Sequence, residues 1–113
     1  MNKSYDLICK IGYHISNIGY LYLADAIEFA TENIEIAYQS IDKVYKHVAE
    51  LRSTKAFTVS RDIARAVVDI WDCSRSKLFQ MIGCETSEKL SPSDLILFCA
   101  NMIINNKEDG EAI

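Results

Sequence analysis

Apolar residues recur at three- and four-residue steps along most of this chain, which is the period of an amphipathic helix. The period is clearest over residues 34–51, where Ser40 marks a restart or a cap, and it resumes over residues 59–71 after a short polar interruption. The first run contains eight regularly spaced apolar residues, Ile34, Ala37, Tyr38, Ile41, Val44, Tyr45, Val48 and Leu51. The pattern predicts an all-α fold of about six helices with no sheet.

Residues 19–30 form a different kind of predicted helix, because apolar side chains cover most of its circumference. A helix of that kind normally lies at the centre of a core. We expect its residues Leu23 and Ile27 to pack against the inner faces of the neighbouring helices. The single core would be completed by Val44, Val48, Ile63, Val67 and Trp71.

Start and stop signals bound several of the predicted helices. Ser4 is expected to cap the first helix and Gly12 to end it, while Gly83 is expected to end the fifth in a left-handed conformation. Ser91 followed by Pro92 predicts the start of the last helix, because serine is a good cap and proline suits the first helical position.

The composition is that of one small globular domain over residues 1–113. The chain has 50% apolar and 25% charged residues, and its 4 glycines and 1 proline are too few for a turn-rich β-sandwich. The longest apolar stretch, residues 95–100, is far shorter than the ~20 residues that cross a bilayer, so we expect no membrane segment. The polar and acidic residues 105–113 are expected to be a frayed tail.

The cysteines and histidines form no recognisable metal or catalytic motif. Without a secretory signal or zinc-ligand spacing, we expect a cytoplasmic protein with four free thiols, at Cys9, Cys73, Cys84 and Cys99. His14 and His47 are isolated in the sequence, and no nucleophile, base and orienting group occur together. We therefore expect no metal, no cofactor and no enzymatic activity.

The charge of the chain is unevenly distributed. The chain as a whole has 12 basic and 16 acidic residues, a net charge of −4. Residues 43–77, however, hold eight of the bases and only four of the acids. A local excess of positive charge acts over a Debye length of about 8–10 Å, so this segment is the one suited to a polyanion.

Two predicted helices in this basic segment, at residues 40–52 and 56–72, are separated by a short polar connection, as in a helix-turn-helix. In such a motif the second helix presents donors to base edges in the major groove, and its surroundings hold phosphates. The outer face of the second helix provides four candidates for base contacts, Ser60, Arg61, Ala64 and Arg65. The candidates for phosphate contacts are Lys46, His47, Arg52, Lys55 and Thr58.

The chain resembles the C-terminal DNA-binding domains of stage-zero sporulation response regulators over roughly residues 8–104. The most specific similarity lies in Ile11-Gly12 and in the run over residues 18–27, and further matches are in ungapped register with the family's helix-turn-helix. Those matches are Tyr45, Val48, Ala49, Thr54, Ala56, Val59, Arg61, Ile63, Ala66, Val67 and Trp71. The resemblance implies a six-helix domain that binds double-stranded DNA in transcription regulation, with two copies on tandem sites. We expect a homodimer or such a tandem arrangement on DNA.

The recognition helix nevertheless departs from the family pattern. Arg61 is retained and Arg65 replaces a histidine, but Thr58 and Ala64 replace arginines and Ser60 replaces a glutamate. A bidentate arginine–guanine pair provides about 1–3 kcal/mol of discrimination between bases, so these changes imply an altered or weakened sequence preference. The family's receiver domain precedes this domain; because the chain starts just before its first predicted helix, we expect no control by phosphorylation in cis.

Two functions stay open at this stage. The first is DNA binding with altered specificity, and the second is an adaptor or antagonist that keeps the fold and binds a protein partner. A positive surface shared by Arg61, Arg65, Lys46 and Lys55 would favour DNA. An exposed apolar patch on the last helix would favour a protein partner.

Overall fold

The computed structural model describes residues 3–12, 17–83 and 85–112, with side chains through Asn106. Within these ranges the chain forms helices and no strand, which confirms the all-α prediction. Seven helices follow one another, α1 (Lys3–Ile11), α2 (Ile18–Glu32), α3 (Ile34–Gln39), α4 (Ile41–Leu51), α5 (Ala56–Cys73), α6 (Arg75–Ile82) and α7 (Pro92–Ala112).

The count is seven because the periodic run over residues 34–51 is two helices. Ser40 has an extended backbone, with φ −158° and ψ 105°, which ends α3 and lets α4 start in a new direction. Its N–H still donates to the carbonyl of Ile36, at 2.9 Å, and its own carbonyl accepts from Lys43. Ser40 is therefore a restart of the helix, and its side chain makes no capping hydrogen bond.

The other predicted boundaries are confirmed with one exception. Gly83 ends α6 with φ 82°, and the Asp94 N–H donates to the Ser91 hydroxyl at 3.2 Å where α7 begins at Pro92. Gly12 follows the last residue of α1. The prediction that Ser4 caps α1 is wrong, because Lys3 is already helical and the Ser4 side chain is buried inside the first turn.

Helix α2 lies at the centre of the fold and packs against α1, α3, α4, α5 and α7. Its residues Leu23 and Ile27 are completely buried, and they belong to one core with Val44, Val48, Ile63 and Val67, as predicted. Trp71 packs against this core while staying partly exposed. Its ring meets Phe79 edge-on, with centroids 5.8 Å apart, and Arg75 lies 4.3 Å above it.

The last helix is longer than its apolar pattern indicates. Among the residues through Asn106, whose side chains are described, Ile103 is the last buried one, yet the backbone stays helical to Ala112. The fraying of residues 105–113 stays a prediction. None of the helices in the described ranges has the length and apolar content needed to cross a membrane.

The thiols of Cys9, Cys73 and Cys99 are free, and Cys84 lies outside the described residues. Cys9 and Cys73 are exposed, whereas Cys99 is buried in the core. Burial raises the pKa of the Cys99 thiol to about 12. Its reactive thiolate is therefore almost absent near neutral pH, and Cys99 serves as a small apolar core residue.

We expect Cys99 to be protected from alkylation in the folded protein at about pH 8, because only the thiolate reacts. A thiol titration of the unreduced protein should give four free thiols after unfolding, and the Cys99→Ala variant should lose one thiol from the slowly reacting class. Only two free thiols in the unfolded protein would instead indicate a disulfide.

Gly19 brings the backbones of α2 and α5 into direct contact. A Cβ atom at this position would clash with the carbonyl oxygen of Asp62 and would lie 3.3 Å from the Cβ of Ala66. The clash involves backbone rather than a flexible side chain, so one of the two helices would have to move. Glycine is therefore required here by close approach, at a position where the resemblance had placed a matching glycine.

We expect Gly19→Ala to lower the free energy of unfolding by about 1–3 kcal/mol, the usual cost of overpacking. Chemical denaturation followed by circular dichroism measures the change. The neighbouring variant Ile18→Ala is the matched control, because Ile18 is 48% exposed and its truncation removes few core contacts. Equal stability of Gly19→Ala and the parent would show that α2 and α5 can separate without cost.

Candidate nucleic-acid interface

Helices α4 and α5 pack against each other across a connection of four residues, 52–55. Both helices agree with the predicted ranges to within a residue, and the arrangement is consistent with a helix-turn-helix. Ser53 provides the sharp change of direction with φ 54°, a left-handed conformation that costs energy in a residue other than glycine. The Thr54 N–H then donates to the carbonyl of Ala49 at 2.9 Å, which closes the end of α4.

Helix α5 has a buried and an exposed face, as its sequence predicts. The residues on the buried face are Val59, Asp62, Ile63, Ala66, Val67 and Ile70. On the exposed face, Arg61 and Arg65 lie one helical turn apart, with side chains 43% and 69% exposed. Ala64 is exposed beside them and Ser60 is half-buried. The four candidates for base contacts thus lie on the outer half of one helix.

Asp62 lies between the two arginines and pairs with both. Its carboxylate accepts a hydrogen bond from the Arg61 Nε, at 3.2 Å, and lies 3.7 Å from an Nη atom of Arg65. The side chain of Asp62 is only 11% exposed. The carboxylate partly offsets the positive charge of this face, while both arginine side chains stay exposed.

A second acidic residue of α5, Asp69, is half-buried and lies on the side of the helix that contacts α2. The hydroxyl group of Tyr20 in α2 donates to its carboxylate, and so does the thiol of Cys73, at 3.5 Å. Asp69 therefore ties the second half of α5 to the central helix.

Arg52 follows α4 directly and forms a bidentate pair with Asp25 of α2. Its Nε and Nη atoms lie 2.7 and 3.0 Å from the two carboxylate oxygens, and Asp25 is buried. The hydrogen bond to Asp25 raises the pKa of the Arg52 guanidinium, which stays charged. This pairing attaches the turn to the central helix. Contact of Arg52 with a phosphate stays a prediction. The guanidinium group that would bind the phosphate already pairs with Asp25.

The other candidates for phosphate contacts lie around the turn. Lys46 and Lys55 are exposed, and Lys55 occupies the cap position of α5. Thr58 is half-buried in the first turn of that helix. His47 is exposed while its ring stacks on Phe29 of α2, with centroids 4.2 Å apart. Lys46 shares a shallow groove with residues of the first turns of α5, Ala56, Phe57 and Ser60.

Phe57 is the most exposed large apolar side chain among the described residues, and it is not among the residues predicted to contact DNA. It lies in the first turn of α5 and is 75% exposed. It precedes Arg61 by four residues, so both side chains lie on the same side of the helix. The sequence does indicate this residue, because a large apolar side chain is unusual on the polar side of an amphipathic helix. The prediction of DNA contacts considered charged and small polar side chains and therefore did not include Phe57.

The described residues contain no group of three or more His, Cys, Asp or Glu side chains that could bind a metal ion. The candidate residues for the interface are arginines, lysines, a histidine and small side chains, and Phe57 lies beside them.

Comparison with known protein families agrees with this geometry. A family model described as sporulation initiation factor Spo0A C terminal matches residues 5–103, most of the chain. This match confirms the resemblance and includes every candidate residue for base or phosphate contact. A search of curated proteins finds no significant match.

Proposed function

We propose that this chain, which belongs to the family of sporulation initiation factor Spo0A C-terminal domains, binds double-stranded DNA through α5 and reads its sequence more weakly than the family pattern implies. The family is one of sporulation-related, DNA-binding regulator domains and not a family of enzymes. The proposal that α5 binds DNA rests on the exposed pair Arg61 and Arg65. These two residues lie one turn apart on the outer face of the second helix of a helical hairpin.

Arginine at this place suits guanine, because its planar fork matches the two acceptors that guanine presents in the major groove. We assign Arg61 and Arg65 to base edges. Ser60 has a short side chain that reaches a base only on close approach, and Ala64 offers a methyl group and no donor. Of the four proposed contacts, two therefore supply most of the hydrogen-bonding capacity.

We assign phosphate contacts to Lys46 and Lys55, with Thr58 and His47 as further hydrogen-bonding partners nearby. Phosphate contacts position a protein on DNA without reading its sequence. Arg52 is assigned the weakest phosphate contact of the set, because its guanidinium already holds Asp25. Two copies on tandem sites would double these contacts without enlarging either domain.

The weakened readout has two physical causes in this proposal. The first is the loss of donors at residues 58, 60 and 64. The second is Asp62, whose carboxylate competes with a base for both arginines. Each arginine must exchange an intramolecular partner for a base, which reduces the net gain from the contact.

We expect the affinity for random-sequence duplex DNA to fall with salt at a shallow slope, about −3 to −5 in log affinity against log salt for four or five phosphates. Fluorescence anisotropy over a salt series measures the slope. A slope near zero, or no binding at low salt, would contradict the proposal.

If the protein binds no duplex DNA, the alternative function, binding of a protein partner, becomes the better explanation. It is favoured by exposed aromatic side chains on α3 and α7, where Tyr38 is 62% and Phe98 is 39% exposed. The amide of Asn101 donates to the Tyr38 hydroxyl at 2.6 Å, which places Tyr38 against α7, and Asn101 follows Phe98 by three residues in that helix.

We expect two classes of mutation to separate. Arg61→Ala should flatten the preference among DNA sequences, because it removes a base contact worth about 1–3 kcal/mol. Lys55→Ala should weaken binding to all sequences alike and reduce the salt slope by about 1. Selection from a random duplex pool, followed by affinity measurements, distinguishes the two.

Lys77→Ala is the matched control for charge, because Lys77 is an exposed lysine of α6, away from the turn. If Lys77→Ala weakens binding as much as Lys55→Ala, the effect is one of net charge. If Arg61→Ala leaves the sequence preference intact, α5 does not read bases through this residue.

A further inference from the structure

The first turn of α5 exposes a phenylalanine that the proposed base and phosphate contacts leave unexplained. Phe57 is 75% exposed, an unfavourable position for a large apolar ring in water. It lies on the arginine side of the helix, at its N-terminal end. In a helix-turn-helix, the N-terminal residues of the second helix are those that contact base edges.

The groove beside Phe57 mixes charged and apolar side chains, and no second exposed large apolar residue is among them. The groove beside it is lined by Asp42, Tyr45, Lys46, Ala56 and Ser60, and its large aromatic neighbour Tyr45 is buried. Protein-binding surfaces are typically contiguous apolar patches. A lone ring among hydrogen-bonding side chains is better matched to a surface that is itself mostly polar and carries isolated apolar groups.

The major groove of DNA is such a surface. Its only apolar group at the base edges is the 5-methyl group of thymine, and phenylalanine is among the side chains that contact it.

We propose that Phe57 is a specificity-determining residue that contacts the 5-methyl group of thymine in the major groove. The inference rests on the proposed DNA-binding function and adds a base preference to it. Sequence readout would then combine guanine contacts from the arginines with a thymine on the N-terminal side of the helix. An apolar contact of this kind needs no hydrogen-bond donor. It therefore suits a helix that lacks most of the charged side chains with which the family contacts bases.

The test compares thymine with deoxyuridine, because uracil lacks only the 5-methyl group. A duplex is selected from a random-sequence pool with the wild-type protein and is synthesised in both forms. Affinities of both forms are measured at low salt for wild type, for Phe57→Ala and for Phe98→Ala. The last variant is the matched control, because it removes an exposed phenylalanine from α7. Circular dichroism verifies that all three proteins are folded.

We expect wild type and Phe98→Ala to bind the thymine duplex about three- to fourfold more tightly per contacted methyl group, the factor that corresponds to one buried methylene. Phe57→Ala should bind both forms equally, with the affinity of wild type for the uracil form.

Several outcomes would overturn the inference. If wild type binds both forms equally, or if Phe57→Ala keeps the preference for thymine, Phe57 does not read the methyl group, although DNA binding itself stands. If Phe57→Ala binds DNA normally and converts a dimer to a monomer in analytical ultracentrifugation, the ring is a protein contact. If wild type binds no duplex at all, the proposed function fails first and the inference fails with it.

Discussion

The contact between Gly19 and the backbone of α5 is the constraint on which the rest of the structure depends. At this point α2 and α5 approach too closely for any side chain, since a Cβ would clash with the carbonyl of Asp62 and press on Ala66. Because α2 also packs against α1, α3, α4 and α7, the position of α5 is defined relative to nearly the whole core. A helix that reads DNA must be held in this way, because base contacts tolerate little displacement.

Two side-chain interactions of the same central helix, α2, also hold the α4–α5 hairpin in place. Tyr20 donates to Asp69 in the second half of α5, and Asp25 holds Arg52 at the start of the turn. The hairpin is thus fixed at the turn, near the Gly19 contact and along the recognition helix. None of these ties uses an outward-facing residue of α5. The outer residues, including Phe57, can therefore change without altering how the helix is held, which is consistent with a fold that persists while outer residues of α5 depart from the family pattern.

The periodic pattern was sufficient to predict the elements and insufficient to predict the pairings. Residues 40–52 and 56–72 were predicted as helices, and α4 and α5 lie within a residue of these bounds, because burial of one helical face repeats along the sequence. The break at Ser40 and the burial of Ser4 depend on backbone angles and on neighbouring helices. The pairing of Arg52 with Asp25 joins residues 27 positions apart, and no local period encodes that distance.

Asp62 shows why the candidate site is harder to predict than the fold. Its position at the edge of the buried face follows from the helical period, but its effect depends on two arginines that happen to lie within reach of one carboxylate. The same residue contributes its carbonyl group to the contact with Gly19, so packing and electrostatics meet at one position. The packing of α2 against α5 fixes the backbone of Asp62 and therefore the point from which its side chain extends. In the proposed function this carboxylate competes with bases for Arg61 and Arg65, and an apolar contact such as the one proposed for Phe57 adds readout for which Asp62 does not compete.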